Sequence, residues 1–223
     1  MSARPRLTHY DGIERIELSG RVLVNWVSKA ANLLREEFDA EPGTRVVLDL
    51  PAGHWRAAYW ALACWAVGAT ILVEDEPDAG PSTADLVVTQ QPRPAGGPPQ
   101  VVVTLAALAR RHPAPLPSGA FDEAAVLSTY GDVFDEVEDA DPSDPALVDE
   151  AGALTFAELV GQGGPVATGT PARSLLADPQ SPGTALRTML ATWAAGGSIV
   201  VTHAIGGEDL ARLAEAEGVT TRL

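Results

Sequence analysis

Short apolar segments that suit β-strands alternate with helical segments along most of this chain, and that order limits the possible folds more than any other feature. Residues 45–50 (RVVLDL) predict a strand, residues 54–67 predict a helix that is apolar almost all round, and residues 70–73 predict the next strand. Because strands separated by helices pair side by side in the same direction, this pattern indicates a parallel, doubly wound sheet.

The N-terminal segment predicts a hairpin followed by an amphipathic helix. Alternating apolar residues flank Asp11-Gly12, a dipeptide that suits a tight turn. Ser19 can cap a helix that runs to about Asp39 and carries one apolar face. Lys29, the only lysine of the chain, falls on the opposite face, where we expect a solvated side chain.

The same alternation returns in the rest of the chain. Further strands are predicted at residues 84–89, 100–103, 146–148, 173–177 and 198–202, and further helices at residues 121–127, 156–160, 184–195 and 208–217. The fold class is therefore α/β, with two mostly parallel, doubly wound lobes. A proline-rich joint at residues 113–118 predicts a first lobe of residues 1–112 and a second of residues 113–223, together forming one compact unit.

Charge and cysteine content disfavour several classes of function. The formal net charge of −15 repels phosphate backbones and anionic lipid surfaces, so we expect neither a nucleic-acid nor a membrane partner. Cys64 is the only cysteine and lies in an apolar helical segment, which predicts a buried, inert thiol. No signal core or membrane-spanning stretch is evident, so a cytoplasmic location is expected.

The four histidines are the main candidates for a metal site or a ligand pocket. His9, His54, His112 and His203 share no i, i+4 helical spacing and none lies beside the cysteine, so no metal site is predicted. His203 ends a predicted strand, and ligands of open α/β sheets bind outside the carboxyl ends of strands, so it is the candidate pocket residue. His54 opens a helix, where it could face a crevice or simply be an ordinary helix-start residue.

The order of these segments resembles the opening of the adenylate-forming superfamily, which includes acyl-CoA synthetases, luciferases and nonribosomal peptide adenylation domains. The resemblance rests on residues 43–46 (GTRV) before a strand, 68–69 (GA) after the apolar helix, and 196–197 (GG) before another strand. It covers most of the chain and implies the fold of the N-terminal domain of those enzymes.

The resemblance also indicates where a phosphate loop would lie. In the superfamily this loop is rich in Ser, Thr and Gly, ends in Pro-Lys, and follows a strand that here ends at Val148. The corresponding slot contains Asp149, Glu150, Ala151, Gly152, Ala153 and Thr155. Because two carboxylates replace hydroxyls and no cation is present, this slot should repel a triphosphate.

What the resemblance implies is a truncated relative that no longer catalyses adenylation. The chain ends at Leu223, before the superfamily's adenine- and magnesium-binding segment and its C-terminal domain with the catalytic lysine. We expect no catalytic residue, no metal and no cofactor, and a role as an interaction or ligand-binding module that self-associates or binds a protein partner. Two alternatives remain: weak binding of an adenylate- or acyl-type small molecule between the lobes, and an enzyme of unrelated chemistry.

Overall fold

The chain folds into two compact units whose segments interleave along the sequence. The computed structural model describes residues 3–73, 84–135, 138–161, 171–203 and 205–223. Unit 1 comprises Met1–Leu23, Pro51–Ala58 and Ala157–Leu223, and unit 2 comprises Val24–Leu50 and Tyr59–Phe156. The lobe boundary predicted at residues 112 and 113 falls within unit 2.

Strands and helices alternate as the sequence predicts, which confirms the α/β class. In chain order the strands are β1 (Pro5–Asp11), β2 (Glu14–Ser19), β3 (Arg45–Asp49), β4 (Thr70–Leu72), β5 (Leu86–Thr89), β6 (Gln100–Val102), β7 (Ala120–Asp122), β8 (Pro145–Asp149), β9 (Gly152–Thr155), β10 (Arg173–Ala177), β11 (Ser198–His203) and β12 (Thr221–Arg222). The helices are α1 (Gly20–Phe38), α2 (Trp55–Ala66), α3 (Glu123–Val126), α4 (Phe156–Gly161), α5 (Pro182–Ala194) and α6 (Gly207–Ala216). Among the described residues, none of the helices has the length and apolar character that crossing a membrane requires.

The sheet of unit 1, called sheet A, has the strand order β12-β10-β11-β1-β2. Its strands are parallel except β2, which returns antiparallel to β1 after the turn at Gly12. One face of the sheet packs against α6, where Leu175 and Val200 contact Ala214 in a buried cluster. Since successive side chains of a strand point to opposite faces, the residues that alternate with Val200 belong to the other face.

The sheet of unit 2, called sheet B, has the order β7-β6-β5-β3-β4-β8-β9 and is parallel except for β9. Its central strand, β3, has three consecutive buried residues, Val46, Val47 and Leu48. A continuous apolar run of this kind is typical of a parallel strand that is covered on both faces. Cys64 of α2 is fully buried, which confirms its predicted burial, and desolvation raises the pKa of its thiol to about 12.

The polar face of α1 is not solvated in the way the sequence predicts. Lys29 is half-buried, and its Nζ donates hydrogen bonds to the carbonyl oxygens of Ser128, at 3.2 Å, and Tyr130. One turn further along, Nδ2 of Asn32 donates to the carbonyl oxygen of Gly131 at 3.0 Å. The prediction of a solvated Lys29 is therefore wrong, because the irregular segment after α3 has backbone acceptors that these side chains satisfy.

Candidate functional site

Three histidines that are distant in sequence meet at the carboxyl edge of sheet A. His9 lies near the end of β1, His203 is the last residue of β11, and His54 immediately precedes α2. The ring centroids of His9 and His54 are 4.6 Å apart with an interplanar angle of 65°, and those of His9 and His203 are 5.5 Å apart. We call these three residues the imidazole cluster.

Strand register brings two members of the cluster onto one face of the sheet. In the parallel pair β1 and β11, His9 lies opposite Val201 and Asp11 lies opposite His203. Residues at the same level of paired strands point to the same face, and so do residues two apart within a strand. His9, Val201 and His203 therefore share the face of sheet A opposite to the one that packs against α6.

Gly53 allows the third histidine to approach that face. Its φ angle is +74°, and a Cβ atom at this position would lie 2.7 Å from Cγ of Pro179 and 2.9 Å from Cγ1 of Val201. The next residue, His54, uses Nδ1 to accept a hydrogen bond from the backbone N–H of Arg56 at 3.1 Å. The neutral His54 ring therefore carries its proton on Nε2, which makes Nε2 a hydrogen-bond donor.

Burial favours the neutral forms of His9 and His54. Desolvation, with a smaller contribution from His203, lowers the pKa of His9 to about 4, although Asp11 opposes the shift. Desolvation also lowers the pKa of His54 to about 3, with further lowering by His9 and Arg56. The two rings therefore offer hydrogen-bonding groups without positive charge near pH 7.

One hydrogen-bonding atom of the cluster is left unsatisfied. Nε2 of His9 is buried and has no hydrogen-bond partner within the described part of the chain. A buried polar atom without a partner is uncommon in folded proteins, and such atoms often belong to sites that bind water or a ligand. Within the same described ranges, no group of three or more His, Cys, Asp or Glu side chains is arranged to hold a metal ion.

The slot compared with a phosphate loop forms a tight hairpin in unit 2. Strands β8 and β9 are antiparallel, with Asp149 opposite Gly152, so only Glu150 and Ala151 remain as the turn. Oδ1 of Asp149 accepts a hydrogen bond from the backbone N–H of Ala151 at 2.9 Å, and Gly152 has a φ angle of +106°. The candidate residues Ala153 and Thr155 belong to β9, a strand that was not predicted from the sequence.

Comparison with known proteins gives one partial match in sequence and many in structure. No family model matches the chain. A TIGR03089 family protein of Mycobacterium tuberculosis (strain ATCC 25618 / H37Rv) is 38% identical over 136 residues, which are 57% of this chain and 54% of that protein. The chain thus spans about half the length of this curated relative.

Solved structures match the chain over its full length. An acyl-CoA synthetase of Brucella canis superposes with a TM-score of 0.76 at 18% identity, covering 100% of this chain and 44% of the synthetase. The N-terminal subdomain of Klebsiella oxytoca NpsA superposes with a TM-score of 0.63 at 14% identity, covering 98% of this chain and 56% of that one. The chain has the fold of the N-terminal part of adenylate-forming enzymes. This result confirms the fold expected from the order of the segments.

Within this adenylate-forming fold, the sequence indicates one of the three cluster residues, His203, by its place at a strand end. The place of His54 at a helix start favours an ordinary helix-start residue over a pocket residue. His9 was missed, because a histidine inside a strand gives no local sign of its neighbours. The only signal in the sequence is that His9 lies two residues after the apolar Leu7, which places both side chains on the same face of the strand. This spacing does not predict which residues His9 contacts.

Proposed function

We propose that this chain is a ligand-binding module of the adenylate-forming fold that does not itself form adenylates. The observation that carries the proposal is the β8–β9 hairpin, whose turn contains only Glu150 and Ala151. Adenylate formation depends on positioning the phosphate oxygens of the nucleotide and neutralising their charge. A cradle for those oxygens needs several free backbone N–H groups, and the N–H of Ala151 is already bonded to Asp149.

The charge of the hairpin also acts against nucleotide binding. Asp149 and Glu150 are adjacent at the turn, and the slot contains no lysine or arginine. A carboxylate and a phosphate charge that lie about 4 Å apart repel each other by roughly 4 kcal/mol at an effective dielectric constant of about 20. The hairpin would therefore weaken the binding of ATP at the place where the superfamily resemblance puts the phosphate loop.

The imidazole cluster supports the ligand-binding part of the proposal. It lies at the carboxyl edge of parallel strands, where ligands of open α/β sheets bind. Neutral imidazoles can donate and accept hydrogen bonds, and Nε2 of His9 would gain a partner from a ligand. We infer a small acyl- or aryl-type ligand with an uncharged polar group, because neutral rings do not favour a phosphate.

Two measurements test the two halves of this proposal. Pyrophosphate release from ATP should stay at the buffer level when the purified chain is supplied with a panel of aliphatic and aromatic carboxylic acids. Release that rises in proportion to the chain, and that persists after a second purification step, would overturn the non-catalytic half.

Thermal unfolding with ligands tests the binding half. Amides and esters of the same acids should raise the unfolding temperature. The shift should be lost in the variant H9L and kept in H112Q, which alters a histidine outside the cluster. If no compound raises the unfolding temperature at millimolar concentration, the chain is not a ligand-binding module of this kind.

The expected self-association or protein partner remains a separate prediction. Light scattering of the purified chain over a hundredfold range of concentration tests self-association directly. A constant monomer mass over the whole range would contradict it.

A further inference from the structure

We propose that a cavity lined by arginines at the amino edge of sheet A binds a small organic oxyanion, a carboxylate or phosphate carried on an apolar body. The cavity has a volume of about 790 Å³ and lies in unit 1, where β1, β10 and β11 begin. Its charged lining residues are Arg4, Arg6, Arg15, Arg173 and Glu217. The site is separate from the proposed function, since Ser198 begins β11 at this edge and His203 ends the strand at the imidazole cluster.

The concentration of positive charge is unusual for this chain. Only 15 of its 223 residues are Lys or Arg, against 30 Asp and Glu, yet arginine accounts for four of the 12 residues that line the cavity. The lining side chains carry a formal charge of +3. An overall negative protein that gathers cations in one concavity creates a local field that attracts anions.

Two helix ends reduce this positive charge without cancelling it. The carboxyl ends of α5 and α6 reach the cavity, and each contributes roughly half a negative charge. Nη1 of Arg6 donates to the carbonyl oxygens of Gly196 and Gly197 at 2.5 and 2.7 Å, and Nε of Arg173 donates to the carbonyl oxygen of Glu217 at 2.6 Å. Glu17 accepts a hydrogen bond from Nη2 of Arg15 and so compensates a further charge. After Glu17 and both helix ends are counted, a charge of about +1 remains at the cavity.

The carboxylate of Glu217 is fully engaged by its neighbours. It accepts hydrogen bonds from Tyr10, from Nε of Arg15 at 2.8 Å and from Arg173. Burial raises the pKa of this carboxyl, but the hydrogen bonds from Arg15, Tyr10 and Arg173 together have the larger effect and lower the pKa to about 2. Glu217 therefore stays ionised and positions the guanidinium groups of Arg15 and Arg173.

Donors remain for an incoming anion. Nε and Nη2 of Arg6, and Nη1 of Arg15, make no hydrogen bond to any residue that the structure describes. Guanidinium groups recognise carboxylates and phosphates through paired N–H donors. The proline and alanine residues of the lining, Pro5, Pro171, Ala172 and Ala216, would contact an apolar ligand body. The volume lies in the range of small-molecule sites.

Calorimetric titration with four probes tests this inference. Benzoate and phenyl phosphate represent the two oxyanions, benzamide is the neutral counterpart, and inorganic phosphate lacks the apolar body. Because benzamide is also a candidate ligand of the imidazole cluster, the titration uses H9L, in which that cluster is altered. In H9L we expect at least one aromatic anion to bind, benzamide not to bind, and inorganic phosphate to bind at least about tenfold more weakly than phenyl phosphate. No binding by either aromatic anion, or equal binding of benzamide, would overturn the inference.

Variants locate the binding. The double variant R4Q/R15Q should lower the affinity for the aromatic anion at least about tenfold. R21Q, which removes a charge outside the cavity, should change this affinity less than about twofold. Equal effects of the two variants would mean non-specific attraction and would contradict the site. Binding should also survive in H9L, so that failure of this site and failure of the proposed function are distinguishable.

A measurement on the unaltered chain keeps the test independent of variant folding. In amide NMR spectra, phenyl phosphate should shift the signals of Gly197 and Ser198, which line the cavity. Shifts confined to amides elsewhere would place the anion at another position and contradict the inference.

Discussion

The imidazole rings of His9 and His54 lie edge to face within unit 1, with 4.6 Å between their centroids. Both side chains are buried, with 2% of His9 and 6% of His54 exposed. Two positive charges at this distance inside a protein would repel each other strongly, so the contact is compatible with neutral rings and not with a pair of imidazolium ions.

This contact predicts a loss of stability in mild acid. The folded-state pKa values of His9 and His54, about 4 and about 3, lie below the usual histidine pKa of 6.5, so the unfolded chain binds more protons than the folded chain between these limits. The two neutral rings make their full contribution to the free energy of unfolding above about pH 6.5, and this contribution declines as the pH falls towards 4. At pH 5 each histidine should cost about 2 kcal/mol of unfolding free energy, measured by urea denaturation.

Replacing one ring should reduce this pH dependence. In H9L the difference in unfolding free energy between pH 7.5 and pH 5 should shrink by about 2 kcal/mol relative to the parent. H112Q, which leaves the imidazole cluster intact, should retain the full difference. An equal pH dependence in the parent and in H9L would contradict the assignment to His9.

Gly53 should tolerate no side chain. The variant G53A introduces a Cβ within 2.9 Å of side-chain atoms of Pro179 and Val201 at a φ angle of +74°, so it combines overlap with backbone strain. We expect a loss of at least about 2 kcal/mol in chemical denaturation. G97A is the matched control, because Gly97 has open space around it and no positive φ, and it should change stability by less than about 0.5 kcal/mol.

The β8–β9 turn should require glycine at position 152 only because of the backbone conformation there. A Cβ at Gly152 would meet no atom within 4 Å, but the φ angle of +106° is unfavourable for any side chain. G152A should therefore cost about 1–3 kcal/mol in the same denaturation experiment. If G152A were as mild as G97A, the tight hairpin at the phosphate-loop position would be in doubt.

Glu217 should be a stabilising residue of unit 1. Its side chain is 9% exposed and accepts hydrogen bonds from Arg15 and Arg173. E217Q removes the charge and leaves both guanidinium groups less well compensated, which should cost about 1–3 kcal/mol of unfolding free energy. E215Q alters an exposed neighbour on α6 and should stay within about 0.5 kcal/mol of the parent. Similar losses in the two variants would argue against this role.

Lys29, the only lysine of the chain, should contribute to stability. K29M keeps the length of the side chain but removes the donors to the carbonyl oxygens of Ser128 and Tyr130. The expected loss is about 1–2 kcal/mol in thermal or urea denaturation. R21M changes an exposed cation of α1 and should have little effect. A neutral K29M would mean that solvent replaces these bonds without cost.

The sequence was sufficient for most of the secondary structure. The predicted strand at residues 173–177 coincides with β10, and the predicted helix at residues 54–67 differs from α2 by one residue at each end. Strand β9 was missed because only Leu154 of its four residues is buried, so it shows no apolar pattern. An edge strand of this kind forms because its partner β8 offers hydrogen bonds, and that information is not local.

The sequence by itself determined the order of strands and helices and hence the fold class, because apolar periodicity and turn residues act over a few positions along the chain. Only the tertiary structure decided which polar side chains meet. His9 joins His54 and His203 through the register of β1 with β11 and the close approach at Gly53. Arg6 and Arg173 line one cavity because β1, β11 and β10 are neighbours in sheet A. Strand order and register are set by the packing of the whole unit, so a search for local motifs does not find these sites.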